Sequence, residues 1–375
     1  DAGSSFEDPV GGNIQQLSVD GSDSEIDLSD IAEDEEVVVV LYSYNDSSSN
    51  ETFEVGSSIN EDSVSTSMSL TDGDNTILDV TDEFHSMLRA SESEFEDEPL
   101  PEENEQLNSS ILFASVGSSK SFKVLNSFSS SSSYDSVTAE LRYQTEYFNI
   151  YVDERDDDAM SDSDIEELAE NFADMIPLEQ DYFGDESDIN NDGRFDCLFT
   201  RTVNELGASQ GGIVTGFFYA VDLFDDSTYS ISNEKEVIYL MVPDDDGDHG
   251  TAISDEFALV NILPGVLVHE YQHMINFNQH YFVEDGSAEE GWMNEGLSHL
   301  AEDIYSANSN DFMEGVGLEN PARVSSYLSD ISDICFSCGT SLSQRGGSYL
   351  FLRFLYDQAE LGNLSNVADG KSLLQ

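Results

Sequence analysis

The residues best suited to chemistry lie in the stretch VLVHEYQHMINF, Val266–Phe277. His269 and His273 are four positions apart, and Glu270 directly follows the first histidine. On an α-helix this spacing places both imidazoles on one face, where they can bind the same metal ion. A neighbouring carboxylate can then take a proton from a water activated by that ion. The pattern H-E-x-x-H therefore predicts a catalytic zinc site.

The alternative is a core helix that carries two hydrogen-bonded histidines. Apolar residues occur on nearly every side of this segment, which predicts a central, buried helix. Such a helix would bury two histidines and a glutamate on one face, and an unpaired buried charge is costly. A bound metal ion offsets that cost directly, so the sequence favours the metal site.

A second segment, GWMNEGLSHLAEDIY at 291–305, supplies the expected third ligand. Its apolar residues recur at helical spacing: Trp292, Leu297, Leu300 and Ile304. Glu295 follows His273 by twenty-two positions, and a second helix packed on the first would bring its carboxylate to the metal. His299, one turn later, is expected to support the ligands rather than to bind the metal itself.

The two motifs together, HEYQHMINF and WMNEGLSHLAED, resemble the gluzincin metallopeptidases. Within that clan the chain is most similar to the hyicolysin family of bacterial extracellular zinc metallopeptidases, roughly over 147–356. The resemblance implies that His269, His273 and Glu295 bind zinc and that Glu270 is the catalytic base. It also implies a gluzincin-type α+β domain and a secreted endopeptidase that acts on proteins or peptides.

The chain departs from the thermolysin pattern at His299, where that pattern has an aspartate. No histidine follows His299, so a downstream histidine cannot stabilise the oxyanion. Tyr349 is the predicted donor, because related gluzincins place a tyrosine on a helix at a comparable distance. A tyrosine that only packs in an apolar helix is the competing interpretation. The other candidate donors are Tyr281, Tyr305, Tyr327, Arg323 and Arg345.

The segment DINNDGRFD at 188–196 indicates a possible calcium loop. Oxygen ligands would come from alternate positions, as in the first half of an EF-hand. The candidate ligands are Asp188, Asn190, Asp192, Arg194 through its backbone carbonyl, and Asp196. Gly193 would supply the sharp turn, but Phe199 stands where the twelfth-position glutamate belongs, so this is no true EF-hand. An acidic turn without a cation is the alternative.

Charge sets the chain apart from ordinary globular proteins. It contains 79 acidic and 12 basic residues, giving a formal net charge of −67. This charge predicts repulsion from nucleic acid and anionic membranes, and it suits a halophilic protein in high salt, where self-repulsion is screened. Recurring aromatic and aliphatic runs argue against an acidic disordered chain. No apolar run is long enough to span a bilayer.

Cysteine is scarce in this chain. The pair Cys335 and Cys338, in CFSC, would form a small disulfide loop or contribute to a metal site. A zinc ribbon requires a second such pair, and the only other cysteine is Cys197.

The pattern along the chain predicts two domains of α+β character. Residues 1–125 are expected to form a β-rich, sandwich-like domain, with strands at 37–45, 52–56 and 110–117 and one short helix at 80–90. A serine-rich linker or boundary is expected at 126–137. The catalytic domain, 138–375, is predicted to begin with strand 145–153 and helix 161–184, continue with strands 195–200 and 236–242, and become helical from Ser254 onwards. The N-terminal region suits a structural module or an inhibitory pro-segment equally.

Two other functions compete with a secreted zinc endopeptidase. In one, the peptidase fold is retained without catalysis and the protein is a surface or binding protein. In the other, the chain is a gluzincin aminopeptidase. Aminopeptidases of the clan commonly carry a Gly-x-Met-x-Asn strand before the zinc helix, and none occurs between 205 and 265.

Overall fold

Strands and helices of the computed structural model are described for residues 71–72, 75–76, 80–92, 95, 114–308 and 320–375. All of these residues belong to one compact unit, Ser65–Gln375. The strands are β1 (Thr71–Asp72), β2 (Asn75–Thr76), β3 (Ser119–Leu125), β4 (Tyr134–Gln144), β5 (Phe148–Asp153), β6 (Phe195–Phe199), β7 (Gly216–Phe218) and β8 (Val237–Leu240).

Strands β3 to β8 form a single mixed sheet in the order β3-β4-β5-β6-β8-β7. The first three strands are antiparallel, β5, β6 and β8 are parallel, and β7 lies antiparallel to β8. The three parallel strands are buried along their whole length, which explains their nearly continuous apolar sequences. Strand β7 is last in the sheet order, so it is an edge strand, and it contacts helix α6 (Leu263–Phe277), described below.

The helices follow mainly after the sheet. They are α1 (Thr81–Glu92), α2 (Asp162–Ala173), α3 (Ile176–Phe183), α4 (Arg201–Ala208), α5 (Asp255–Phe257), α6 (Leu263–Phe277), α7 (Gly291–Asn308), α8 (Asn320–Leu328), α9 (Leu342–Glu360) and α10 (Lys371–Leu374). Two π-helical segments, Ala258–Ile262 and Asn278–Val283, flank α6.

The mixed α+β architecture predicted from sequence is confirmed, and so are most of the predicted elements. One exception is the helix expected at 161–184, which is two helices. It begins as predicted, with a capping box between Ser161 and Asp164. The break lies at Asp174–Met175, because Pro177 in the first turn of α3 lacks the N–H that a continuous helix would use.

The serine-rich stretch is the turn of a β-hairpin and not a linker. Strands β3 and β4 pair antiparallel on either side of it, with Leu125 opposite Tyr134. Its serine hydroxyls form hydrogen bonds within the turn, such as the one from Ser133 Oγ to Asn126 Oδ1 (2.7 Å). The boundary expected at 126–137 is therefore wrong, because a domain break would separate two paired strands of one sheet.

The predicted short helix at 80–90 is confirmed as α1. The strands predicted at 37–45 and 52–56 lie outside the described residues. The strand predicted at 110–117 is wrong for its described part, because 114–117 have irregular and turn conformations. The CFSC cysteines, Cys335 and Cys338, form a disulfide, and Cys197 is a buried thiol.

Helix α6 is the central helix of the unit. It packs against β7, β8 and α7, and most of its residues are buried. Gly216 lets the edge strand approach closely, because a Cβ there would lie 2.6 Å from Val266 Cγ1 and 2.8 Å from the Tyr239 carbonyl oxygen. The edge strand and the helix with the H-E-x-x-H motif are thus in direct contact.

Replacing Gly216 with alanine should destabilise the protein by about 1–3 kcal/mol, because the new methyl overpacks a contact that includes backbone. The measurement is urea unfolding at fixed high salt with a chelator present, so that metal binding does not contribute. Gly291→Ala is the matched control, since its added methyl would meet its nearest atom, Thr340 Cγ2, at an ordinary 3.5 Å. Equal stability of the two variants would contradict the close approach of β7 to α6.

Candidate metal centre

Two adjacent helices build the centre. Helix α6 contributes His269, Glu270 and His273, and α7 contributes Glu295; all four side chains are buried. The His269 Nε2 atom lies 3.2 Å from Glu295 Oε2, and His273 Nε2 lies 3.7 Å from Glu295 Oε1. The two imidazole centroids are 4.7 Å apart. The three predicted ligands therefore converge on one buried space. The Nε2 atoms of His269 and His273 both face the Glu295 carboxylate.

Hydrogen bonds on the far side of each imidazole fix its orientation. His269 Nδ1 is 2.7 Å from Glu302 Oε1, and His273 Nδ1 is 2.8 Å from Asn294 Oδ1. A carboxylate and an amide oxygen only accept hydrogen bonds, so each Nδ1 carries a proton and each Nε2 is the nitrogen that would offer its lone pair to a bound metal ion. This is the arrangement that metal-binding histidines generally show.

Helix α9 adds a cation to the centre. The Arg345 guanidinium is buried in the first turn of α9, and its NH1 lies 2.8 Å from Glu295 Oε2. Burial alone would raise the pKa of Glu295, but Arg345 and His273 hold that pKa well below its ordinary value. Glu295 is therefore an ionised carboxylate, as a metal ligand must be.

Helix α1 brings a third imidazole to the same space. His85 Nε2 lies 3.1 Å from the Gly216 carbonyl oxygen and 3.3 Å from Glu270 Oε1. Its other nitrogen, Nδ1, lies 3.5 Å from Glu295 Oε1. His85 was not predicted as a site residue, because it is far from the H-E-x-x-H motif in sequence and belongs to no short pattern.

The donor set fits a zinc ion. His85, His269, Glu270 and His273 each offer a ligand atom within 4.8 Å of the others. Two buried atoms that face this space, His85 Nδ1 and Glu295 Oε1, have no hydrogen-bond partner in the described part of the chain. Orphaned buried polar atoms are rare, and a cation between them would satisfy both. Imidazole nitrogens with one carboxylate oxygen are the ligands that zinc prefers.

The pKa values of the centre differ strongly between neighbouring groups. Burial opposes protonation of His269, yet its hydrogen bonds to Glu295 and Glu302 raise its pKa to about 9. Burial, together with the charge of Arg89, lowers the pKa of His273 to about 4. For Glu270, burial is outweighed by the nearby His85 and His273, so its pKa is lowered.

Glu302 is a supporting residue that sequence reasoning missed. Its Oε1 also lies 2.9 Å from His299 Nδ1, so this carboxylate links His299 to His269. The thermolysin pattern has an aspartate at the position of His299, and here a carboxylate three residues later contacts the histidine of α6. Glu302 follows Glu295 by seven residues, two helical turns, which is the spacing that could have revealed it.

Tyr349 remains the predicted oxyanion donor, but its hydroxyl already has a partner. Its hydroxyl interacts with Asp303, and burial with that charge raises its pKa. The residue of α9 that contacts the zinc-ligand set is Arg345, one turn earlier. Among the other candidates, Tyr281 donates its hydroxyl to the Phe95 carbonyl, and Arg323 is buried near His299.

The candidate calcium loop is closed by its own backbone and a lysine. Asp188 accepts hydrogen bonds from the backbone N–H groups of Asp192 and Gly193. Asp192 forms an ion pair with Lys235, whose Nζ is 3.7 Å from Asp196 Oδ1. Within the described residues, the loop carboxylates do not form a cation-binding group. Lys235 neutralises part of the charge of this turn, and calcium binding by the loop stays a prediction.

Comparison with known proteins supports a metallopeptidase relationship. The neutral metalloprotease ShpI of Staphylococcus hyicus is 25% identical to this chain over 270 residues, which is 71% of this chain. The match covers 57% of ShpI, so the chain spans little more than half the length of this curated relative. No family model matches the chain. A metalloprotease needs side chains that bind a metal ion, and the buried histidine–glutamate cluster is the group in this chain that could do so.

Glu302→Gln should weaken zinc binding by about 10- to 100-fold, because the carboxylate that orients His269 is lost while the side-chain shape is kept. Competition with a chromophoric chelator measures the affinity. Glu290→Gln is the control, since Glu290 is an exposed carboxylate just before α7. Wild-type affinity in Glu302→Gln would show that this contact does not position the ligand.

Proposed function

We propose that this chain is a zinc-dependent peptidase that cleaves within protein chains. The observation that carries the proposal is the buried convergence of His269, His273 and Glu295, with Glu270 beside them on α6. Each imidazole has its Nε2 turned inward and its Nδ1 proton held by an outer acceptor. Zinc catalytic sites have this composition, with three protein ligands and one position left for water.

Each residue has a distinct role in the proposed reaction. A zinc ion bound by His269, His273 and Glu295 would lower the pKa of a water and polarise the scissile carbonyl. Glu270 would take the proton from that water and later deliver it to the leaving amine. The Phe218 N–H donates to Glu270 Oε2 over 2.8 Å, which leaves Oε1 as the oxygen for proton transfer.

Arg345 acts through Glu295. Its guanidinium is held against the carboxylate at 2.8 Å, so it keeps Glu295 ionised and in place rather than touching the substrate. Tyr349 as the donor to the oxyanion rests on the resemblance alone, because its hydroxyl is engaged by Asp303.

The edge strand supports an endopeptidase over an aminopeptidase. Strand β7 and the two residues after it have the sequence Gly-Phe-Phe-Tyr-Ala, 216–220. Strand β7 packs against α6, the helix that carries the H-E-x-x-H motif. An aminopeptidase strand would have methionine and asparagine where this chain has Phe218 and Ala220. Without polar groups for a free amine at these positions, the cleft suits an internal segment of a substrate chain.

The setting of the proposed activity is extracellular and salty. A net charge of −67 is tolerated best where salt shortens electrostatic repulsion. Within the described part of the chain, no helix has the length and apolar character needed to cross a bilayer. Secretion is supported by the resemblance to bacterial extracellular peptidases.

Glu270→Gln should retain zinc and lose about 10²- to 10⁴-fold in kcat, because general-base catalysis is removed while the ligands stay. The assay is hydrolysis of labelled casein at molar salt, with zinc content measured on the same samples. His269→Ala is the matched control and should lose both zinc and activity. Full activity in Glu270→Gln would refute the assignment of the base.

Peptides with blocked and free amino termini separate the competing functions. An endopeptidase cleaves both, whereas an aminopeptidase cleaves only the free-amine peptide. Stoichiometric zinc binding with no turnover of any protein substrate would favour a non-catalytic binding protein.

A further inference from the structure

Helix α1 lies along the edge strand and occupies its backbone hydrogen-bonding groups. Four contacts from α1 and one from Val80, the residue just before it, fall on the short segment 213–220. They are Val80 N to Ile213 O (3.0 Å), Thr215 N to Thr81 Oγ1 (3.2 Å), His85 Nε2 with Gly216 O (3.1 Å), Arg89 NH2 to Phe218 O (2.7 Å) and Ala220 N to Glu92 Oε1 (3.1 Å). An extended peptide that added to this strand would need the same groups.

These contacts are buried and highly polar. Arg89 and Glu92 form an ion pair at 3.2 Å on α1, and both are buried against the edge strand. Burial raises the pKa of Glu92 despite the Arg89 charge. A helix that served only to cover apolar core would not need a buried ion pair aimed at backbone groups. Apolar anchors are also present: Phe84 and Leu88 are fully buried, and the Phe84 ring packs 5.0 Å from Phe217.

His85 completes a fourth ligand position. Its Nε2 faces two acceptors, the Gly216 carbonyl and Glu270, so the proton belongs on Nε2 and the lone pair on Nδ1. That Nδ1 is the orphaned atom 3.5 Å from Glu295 Oε1. The donor set then becomes three imidazoles and one carboxylate, and four protein ligands leave no tetrahedral position for a water.

The same imidazole also engages the base. With His85 Nε2 3.3 Å from its Oε1, and Phe218 N–H on Oε2, Glu270 has both oxygens occupied. His85 therefore lies beside the oxygen of Glu270 that a water would approach.

We propose that α1 is an inhibitory helix and that His85 is its active-site plug, a fourth zinc ligand that takes the position of the catalytic water. The chain is latent while α1 is docked and becomes active when α1 leaves the edge strand. Substrate and α1 compete for the same backbone groups, so they cannot bind together. This inference rests on the proposed zinc peptidase function.

The test compares the full chain with its His85→Gln variant after cobalt(II) is bound to each. Glutamine keeps the size of the side chain and can still donate to the Gly216 carbonyl, but it is a poor metal ligand. Ser86→Ala is the control, because Ser86 is exposed on the same helix. The readouts are the cobalt absorption spectrum, its response to acetohydroxamate, and turnover of a short blocked peptide. Arg89→Ala, which loosens the helix and keeps His85, guards against a folding defect of the first variant.

In wild type and Ser86→Ala we expect a four-coordinate spectrum that acetohydroxamate hardly changes. In His85→Gln we expect a changed spectrum, acetohydroxamate binding at least about tenfold tighter, and turnover at least about tenfold faster, because the open site becomes the main population. Arg89→Ala should shift both readouts in the same direction by less.

Each other outcome has a definite meaning. An unchanged spectrum and unchanged acetohydroxamate affinity in His85→Gln would overturn the plug and leave the proposed function standing. A changed spectrum without faster turnover would make His85 a permanent ligand and overturn the inhibitory role. Failure of the wild-type chain and of both α1 variants to bind cobalt would overturn the plug together with the proposed zinc site.

Discussion

Burial of several carboxylates in one space is the constraint on which the rest of the structure depends. Three glutamates and three histidines meet between α1, α6 and α7: Glu270, Glu295, Glu302, His85, His269 and His273. Removing that many ionisable groups from water is expensive unless opposite charge is present. Arg345 supplies part of it, and a divalent cation among the inward-facing nitrogens and oxygens would supply the rest. The helices can pack this closely because most of these polar groups have partners, and a cation would satisfy the two atoms that lack one.

The surrounding elements are placed by close backbone approach. Gly216 lets the edge strand contact α6, so that the Phe218 N–H reaches Glu270. Gly296 plays the corresponding part on α7, where a Cβ would lie 2.8 Å from Leu352 Cδ1 and 3.1 Å from Ser348 Cβ. Helix α9 therefore approaches near enough for Arg345 to contact Glu295. The geometry of the centre therefore depends on these two glycines as well as on its ligands.

Local sequence patterns predicted those parts of the site that depend on local geometry. The spacing of His269 and His273 follows from the helical repeat, and the glutamate of α7 was found because its helix also has a readable pattern. Glu302 was missed although it lies on the same helix, because in so acidic a chain only its two-turn spacing from Glu295 distinguishes it from other acidic residues. His85 was missed because only the tertiary fold brings α1 to α6.

The remaining differences between sequence and structure have physical explanations of the same kind. The calcium loop was inferred from its oxygen side chains, but the sequence did not show that Lys235 would come to rest beside Asp192 and Asp196. The serine run has the composition of a linker, and composition does not reveal that the strands on either side pair. Tyr349 and Arg345 are one turn apart on α9, and the rotation that decides which one faces the centre is set by packing against α7 and α8.

The short length of β7 has a consequence for the behaviour of the protein in solution. An uncovered sheet edge can recruit strands from other copies and start aggregation. This edge strand is only three residues long, and helix α1 covers its backbone groups. The large negative net charge of the protein also makes its copies repel one another. Once uncovered, it still offers too little strand for stable sheet growth between copies. Colloidal stability and an accessible cleft can therefore coexist on the same strand.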